Sequence, residues 1–244
     1  MYEERIYRGF SRPSDLACYE VRVKETDLFC CTQGDHRGYI EERVIAYRHQ
    51  LEEYIRFRPA FLESLDPIDP DPLAPRIVQA MIEACSTLGV GPMACVAGAV
   101  AEFVGRDVAP RTAEYIIENG GDIFLRTGKE RTVLVYAKDS PYSGRLAIKL
   151  KPDDAAYGVC TSSGTVGPSL SFGKADAVCV LARSALFADG LATRIGNVVK
   201  RPEDVQAAID VGRGYGGVIG ILIVLGETLG AWGDLELMNV RGTP

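Results

Sequence analysis

At ~150 residues per domain, a chain of 244 residues leaves room for one or two domains. Hydrophobic residues make up 47% and charged residues 25%, which excludes disorder or low complexity as the main state. The net charge of −6 argues against a nucleic-acid binder, which needs a basic face, and against a polybasic membrane anchor. With two histidines, His36 and His49, a multi-histidine zinc site or a Ser-His-Asp hydrolase would have to draw on one of that pair. Acidic Glu3 and Glu4 stand where a signal peptide carries bases, and the longest apolar run, Val218 to Leu225, falls far short of the ~20 residues that span a bilayer. A soluble, cytoplasmic protein without a membrane partner is expected.

The chain opens with an expected hairpin: Leu16 to Val23, a turn at Glu25–Asp27, and Leu28 to Thr32. Ile40, Val44, Tyr47, Leu51 and Tyr54/Ile55 recur at three- and four-residue steps and predict a helix from about Gly38 to Arg58. Pro59 ends it, and Asp66–Pro72 reads as a stiff polar spacer. Helices are expected over about Ala74–Leu88 and, rich in Ala and Gly, over Met93–Phe103. Side chains that small allow close backbone approach to a sheet or a ligand. Strand-like runs follow at 115–117, 123–125, 132–137, 146–150, 158–161 and 177–181. Helices at about Ser184–Val199 and Pro202–Val211 precede two last strands, Gly217–Leu225 and Leu235–Val240. Runs of strands and runs of helices, without strict alternation, indicate an α+β fold with largely antiparallel sheets. One domain over residues 1–244 is expected, with two similar halves as a variant. Val218–Leu225 reads either as a core strand or as an edge between subunits of a homo-oligomer.

Seven cysteines, at 18, 30, 31, 85, 95, 160 and 179, include no CxxC pair, so zinc-ribbon and thioredoxin-type readings fail. Most sit in apolar contexts and read as small buried hydrophobes.

Three segments could carry chemistry. Asn119-Gly120-Gly121-Asp122 is a hairpin turn or a ligand cradle. Gly158–Gly173 contains Thr161-Ser162-Ser163-Gly164; it reads as a long loop of backbone donors able to hold a phosphate, but it has neither P-loop lysine nor nucleophile elbow. In Ala188-Asp189-Gly190-Leu191-Ala192-Thr193, Asp189 and Thr193 are four apart and share one helix face. A carboxylate and a hydroxyl so placed are hard oxygen ligands for Mg²⁺. The alternative makes Asp189 an exposed first-turn charge on the helix dipole.

In this order the small-residue helix, Gly-Gly-Asp, Thr-Ser-Ser-Gly and Ala-Asp-Gly-Leu-Ala-Thr resemble the ApbE-like family of FAD:protein FMN transferases, over about Gly91–Asn197. Resemblance implies a T-fold-like α+β architecture, FAD as flavin donor, and Mg²⁺ held by Asp189, Thr193 and the carbonyl of Ala94. It places a phosphate-bearing ligand at Gly120, Gly121, Asp122 and Thr161–Gly164, with Asp189 and Thr193 also carrying catalysis. The family's third-ligand segment, Asp-Leu-Ser-Ala-Ile-Ala-Lys-Gly-Tyr-Ala-Val-Asp, matches Gly91 to Glu102 without gaps. Its anchoring Asp is then Gly91 here and its Lys is Ala97, so the adenosine end of the pocket is expected to be open. The His-Ile-Ile-Asp-Pro-x-Thr-Gly segment has no counterpart, which marks a divergent branch. Two alternatives stand beside Mg²⁺-dependent flavin transfer. One is a flavin or nucleotide-binding module without turnover. The other is sulfur handling through Cys30–Cys31 or through Cys160, whose thiol pKa would be lowered by neighbouring backbone donors.

Overall fold

The computed structural model describes residues 13–163 and 173–240. Strands β1 (Ala17–Val23) and β2 (Thr26–Thr32) form the first hairpin. Helices α1 (Arg37–Phe57), α2 (Ala60–Glu63) and α3 (Arg76–Leu88) follow, then a short 3-10 turn (Pro92–Cys95) leading into α4 (Val96–Val108). Strands β3 (Tyr115–Asn119), β4 (Asp122–Thr127), β5 (Arg131–Leu134), β6 (Leu146–Leu150), β7 (Asp153–Ser162) and β8 (Ala177–Ala182) come next. Helices α5 (Ala185–Val198) and α6 (Asp204–Arg213) and strands β9 (Val218–Leu225), β10 (Thr228–Gly233) and β11 (Glu236–Asn239) complete the described chain.

Eight strands form one sheet in the order β1-β2-β3-β4-β7-β8-β9-β10, and β11-β6-β5 form a second, smaller one. Every pairing is antiparallel. The helices cover one face of the large sheet and the small sheet covers the other. Alternation along single strands shows this: Cys160, Val178, Val180, Ile221 and Ile223 join the helical core, whereas Val159, Cys179, Leu181, Leu222 and Val224 pack with Ile148 and Leu150 of the small sheet. Covered on both faces, β8 is buried at all six residues, which is why it reads as an unbroken apolar run. β9 pairs with β8 on one side and β10 on the other, so it is an interior strand and not a subunit edge.

Several boundaries differ from those expected. The first turn is tighter, with Val23 opposite Thr26 and Lys24 at φ 53°. The small-residue helix begins later and runs on to Val108, because Pro92 starts a 3-10 turn first. β10 was hidden by Gly230, where an added Cβ would lie 2.4 Å from Cγ1 of Val205. Residues 158–161, read as a strand-like run and also as the start of the long loop, belong with Ser162 to β7, while residues 164–172 lie outside the described ones. Cys18 and Cys31, directly opposed across the first hairpin, form a disulfide.

Two glycines let α5 sit close to its neighbours. A Cβ at Gly158 on β7 would lie 2.4 Å from the backbone N of Ala185, and one at Gly98 on α4 would lie 2.3 Å from the Ala185 carbonyl oxygen. Both clashes are with backbone, which cannot swing away. Gly158→Ala is therefore expected to destabilise the protein by about 1–3 kcal/mol, read as a lower midpoint in urea unfolding.

Candidate functional site

The site is built where the N-terminus of α4 meets α5. Ser184 caps α5, its hydroxyl accepting the N–H of Phe187 at 3.2 Å. Glu102 of α4 reinforces that cap, accepting from the Ser184 hydroxyl at 2.7 Å and from the N–H of Leu186 at 3.0 Å. Asp189 is the fifth residue of α5, in its second turn. Its Oδ2 accepts the N–H of Gly98 at 2.9 Å, the donor that an uninterrupted helix would send to the Ala94 carbonyl. Asp189 thus serves α4 as a cap supplied by another helix. The alternative of an exposed first-turn charge fails, because the residue is partly buried between two helices. Gly190 has a packing reason, since a Cβ there would lie 2.8 Å from Cδ1 of Leu88.

The Gly-Gly-Asp segment is the β3–β4 turn, with Asn119 opposite Asp122 and with Gly120 at φ 70° and Gly121 at φ 104°. Positive φ at both central positions is the hairpin geometry that glycine supplies without strain. The N–H of Gly121 goes to Oε1 of Glu118 at 2.9 Å, and Nδ2 of Asn119 donates to the Ala97 carbonyl at 3.1 Å. The turn is thereby fastened to the same α4 terminus that holds Asp189. Asp122, 7% exposed, shares the helix-facing side of β4 with Phe124. Its Oδ1 is buried with no hydrogen-bond partner among the described residues. The N–H of Thr161 and the thiol of Cys160 bond the group.

Electrostatics follow from this burial. Loss of solvation raises the Asp189 carboxyl to about 7, against the opposing pull of the Gly98 and Ala97 N–H groups. Burial, and then the charge of Asp189, push Asp122 well above the carboxylate range. Among the described residues neither group has a lysine or arginine ion pair.

Of the remaining expected site residues, Thr193 lies one turn beyond Asp189 on α5, and Ala94 sits in the 3-10 turn packed on α5. Ser162 ends β7 as a buried residue and Ser163 follows it. The Thr161 side chain bonds the Cys179 thiol on the opposite face of the sheet, so only its backbone is presented towards Asp122. Gly164 lies outside the described residues. No three His, Cys, Asp or Glu side chains among the described residues form a metal cluster. A cation here would depend on Asp189, a buried oxygen lacking a partner, hydroxyl and carbonyl oxygens, and the ligand's own phosphates, a donor set that fits Mg²⁺.

Two expectations are overturned. The pocket is not open at Gly91: a Cβ there would lie 1.9 Å from the Ser64 carbonyl oxygen, so the chain after α2 fills the place of the family's aspartate. Nor is the Cys160 thiol lowered in pKa. Cys160 is fully buried and its thiol pushed well up by burial and by Asp122; Cys30 is also buried, and Cys31 is in the disulfide. Sequence reasoning also missed the Gly98 donor, the Asn119 tie and the Glu102 cap. The density of small residues after Gly91 was the one available signal.

A groove of about 290 Å³ between α3, α4 and the start of α5 includes Glu83, Phe103, Arg106 and Phe187, but neither Asp189 nor Asp122.

For the metal-free protein the sign of the pH effect is fixed. A folded-state value of about 7, above the ordinary 3.8, means that the stability from Asp189 is complete at low pH and is lost as pH rises through about 7. Asp189→Asn, which keeps an acceptor for Gly98, is expected to raise the melting temperature in EDTA at pH 8 and to lose that advantage towards pH 4.

Comparison with known proteins adds the following. A family model described as AbpE bacteria matches residues 11–213. A UPF0280 protein of Methanococcus aeolicus is 39% identical over 225 residues, covering 90% of this chain and 91% of that one. One from Methanosphaerula palustris is 45% identical over 209 residues, covering 84% and 86%. Among solved structures, the apo flavinyl transferase ApbE of Pseudomonas stutzeri superposes with a TM-score of 0.58 at 13% identity, over 89% of this chain and 93% of that one. The ApbE protein of Thermotoga maritima gives 0.55 at 12%, over 90% and 97%. At such identities the likeness is one of fold.

Proposed function

The chain belongs to the AbpE bacteria family, alongside the archaeal UPF0280 proteins, and from that premise we propose that it binds FAD or a related phosphate-bearing ligand together with Mg²⁺ at Asp189. The observation that carries this reading is the Asp189 carboxylate on the Gly98 N–H, at a helix terminus whose partial positive charge also favours phosphate.

Each residue has a task. Gly98 orients the Asp189 carboxylate, and Thr193 offers a hydroxyl on the same helix face. Asn119 fixes the Gly-Gly turn against α4, so that ligand oxygens can approach the backbone there. A Mg²⁺ held there would neutralise diphosphate oxygens, so that an acceptor hydroxyl attacking the FMN-side phosphorus would break the diphosphate bond and displace AMP. That is the chemistry of moving FMN from FAD, and solved structures of like fold are named flavin transferases.

A second reading, binding without transfer, is favoured by one observation. The Ser64–Leu65 backbone occupies the place of the family's anchoring aspartate at Gly91, which changes the contacts open to the nucleoside end. Isothermal titration checks both. With Mg²⁺, FAD is expected to give a heat that EDTA or Asp189→Asn removes; formation of FMN-modified acceptor peptide then separates transfer from binding alone. Absence of metal-dependent binding for FAD, FMN and ADP alike would overturn the proposal.

A further inference from the structure

We propose that Asp122 is a second carboxylate of the cation site, its Oδ1 contributing directly to the bound metal beside Asp189; this rests on the reading of Asp189 as a metal ligand.

Asp122 carries an unmet need. It is 7% exposed, and its Oδ1 has no hydrogen-bond partner among the described residues. A buried carboxylate oxygen left this way costs more than most folds tolerate, unless a proton or a cation occupies it. The fold holds the group there regardless. Asp122 is the first residue of β4, fixed by the glycine turn before it and by pairing with β3, and the thiol of Cys160 on β7 bonds it. Cys160 leaves little freedom on that side, since its thiol also reaches the Ala185 carbonyl at 3.2 Å, under the first turn of α5.

The neighbours point to the kind of group that fits. Asp189 and Glu118 both repel the charge on Asp122. Glu118 is itself buried and engaged with the N–H of Gly121. Neither Asp122 nor Asp189 has a lysine or arginine ion pair among the described residues. Excess negative charge in a partly dry corner, with hard oxygens from two elements far apart in the chain, suits a small divalent cation. A buried thiol in the same corner, its pKa pushed up, stays protonated and does not make the site soft.

Mn²⁺, which replaces Mg²⁺ and is read by the loss of its free spin-resonance signal, tests this without turnover. The full chain is titrated with Mn²⁺ alone as wild type, Asp122→Asn and Asp189→Asn, and each protein is melted in EDTA. Wild type is expected to bind one Mn²⁺, Asp189→Asn to lose it, and Asp122→Asn to bind more than about tenfold more weakly. Asp122→Asn should melt in EDTA at or above wild type, because a buried carboxyl that is costly to ionise has been replaced by a neutral amide. Wild-type Mn²⁺ affinity in Asp122→Asn, with binding lost in Asp189→Asn, would overturn the role of Asp122 and leave Asp189 as the metal ligand. An EDTA melting point well below wild type, with weakened binding, would mark Asp122 as structural and overturn the proposal. No Mn²⁺ binding by wild type alone would overturn the role of Asp122, and loss of Mn²⁺ binding in the presence of ADP as well would overturn the reading of Asp189.

Discussion

One hydrogen bond organises this molecule: the N–H of Gly98 to the carboxylate of Asp189, 2.9 Å across the α4–α5 contact. It exists because Gly98 has no Cβ. A side-chain carbon there would lie 2.3 Å from the Ala185 carbonyl and 2.8 Å from Cβ of Asp189, and the two helices would separate. With the helices in contact, α5 can settle on the sheet over Gly158, and Glu102 can reach back to cap α5. The same contact takes a carboxylate out of water, which is why Asp189 holds its proton up to about 7.

The second consequence concerns charge. Antiparallel pairing brings Asp122 from β4 into the corner that Asp189 occupies from α5, although 67 positions separate them in the chain. Asn119 ties the turn before Asp122 to the Ala97 carbonyl, next to the Gly98 donor. Repelling groups are thus held together by bonds made elsewhere. Buried carboxyls held together in this way recur at binding sites.

Much of the fold was legible in the sequence because its signals are local. The stripe of Ile40, Val44, Tyr47 and Leu51 marks α1, and its members are buried. Ser184 announces the start of α5 through its hydroxyl. Antiparallel α+β architecture follows from the grouping of strands and helices. What could not be read depends on contacts between distant residues. The Cys18–Cys31 bridge requires the hairpin register, and the filling of Gly91 by Ser64 requires the path of the chain after α2. At the site, the segment identities and the Asp189–Thr193 face were legible; the burial of Asp122, the Gly98 donor and the inward turn of Cys160 were not. Cys160 looked accessible because glycines and hydroxyl residues follow it, yet strand alternation turns it beneath α5.

The central claim is that the Asp189 corner is a divalent-cation and phosphate site. Its most direct measurement is the anomalous difference map of a crystal grown with Mn²⁺ and ADP. The account predicts one strong peak within about 2.1–2.3 Å of an Asp189 oxygen, shared with a phosphate oxygen of the nucleotide. Nucleotide bound in another groove, or a corner in which Asp189 contacts only Gly98 while Mn²⁺ lies elsewhere, would contradict it.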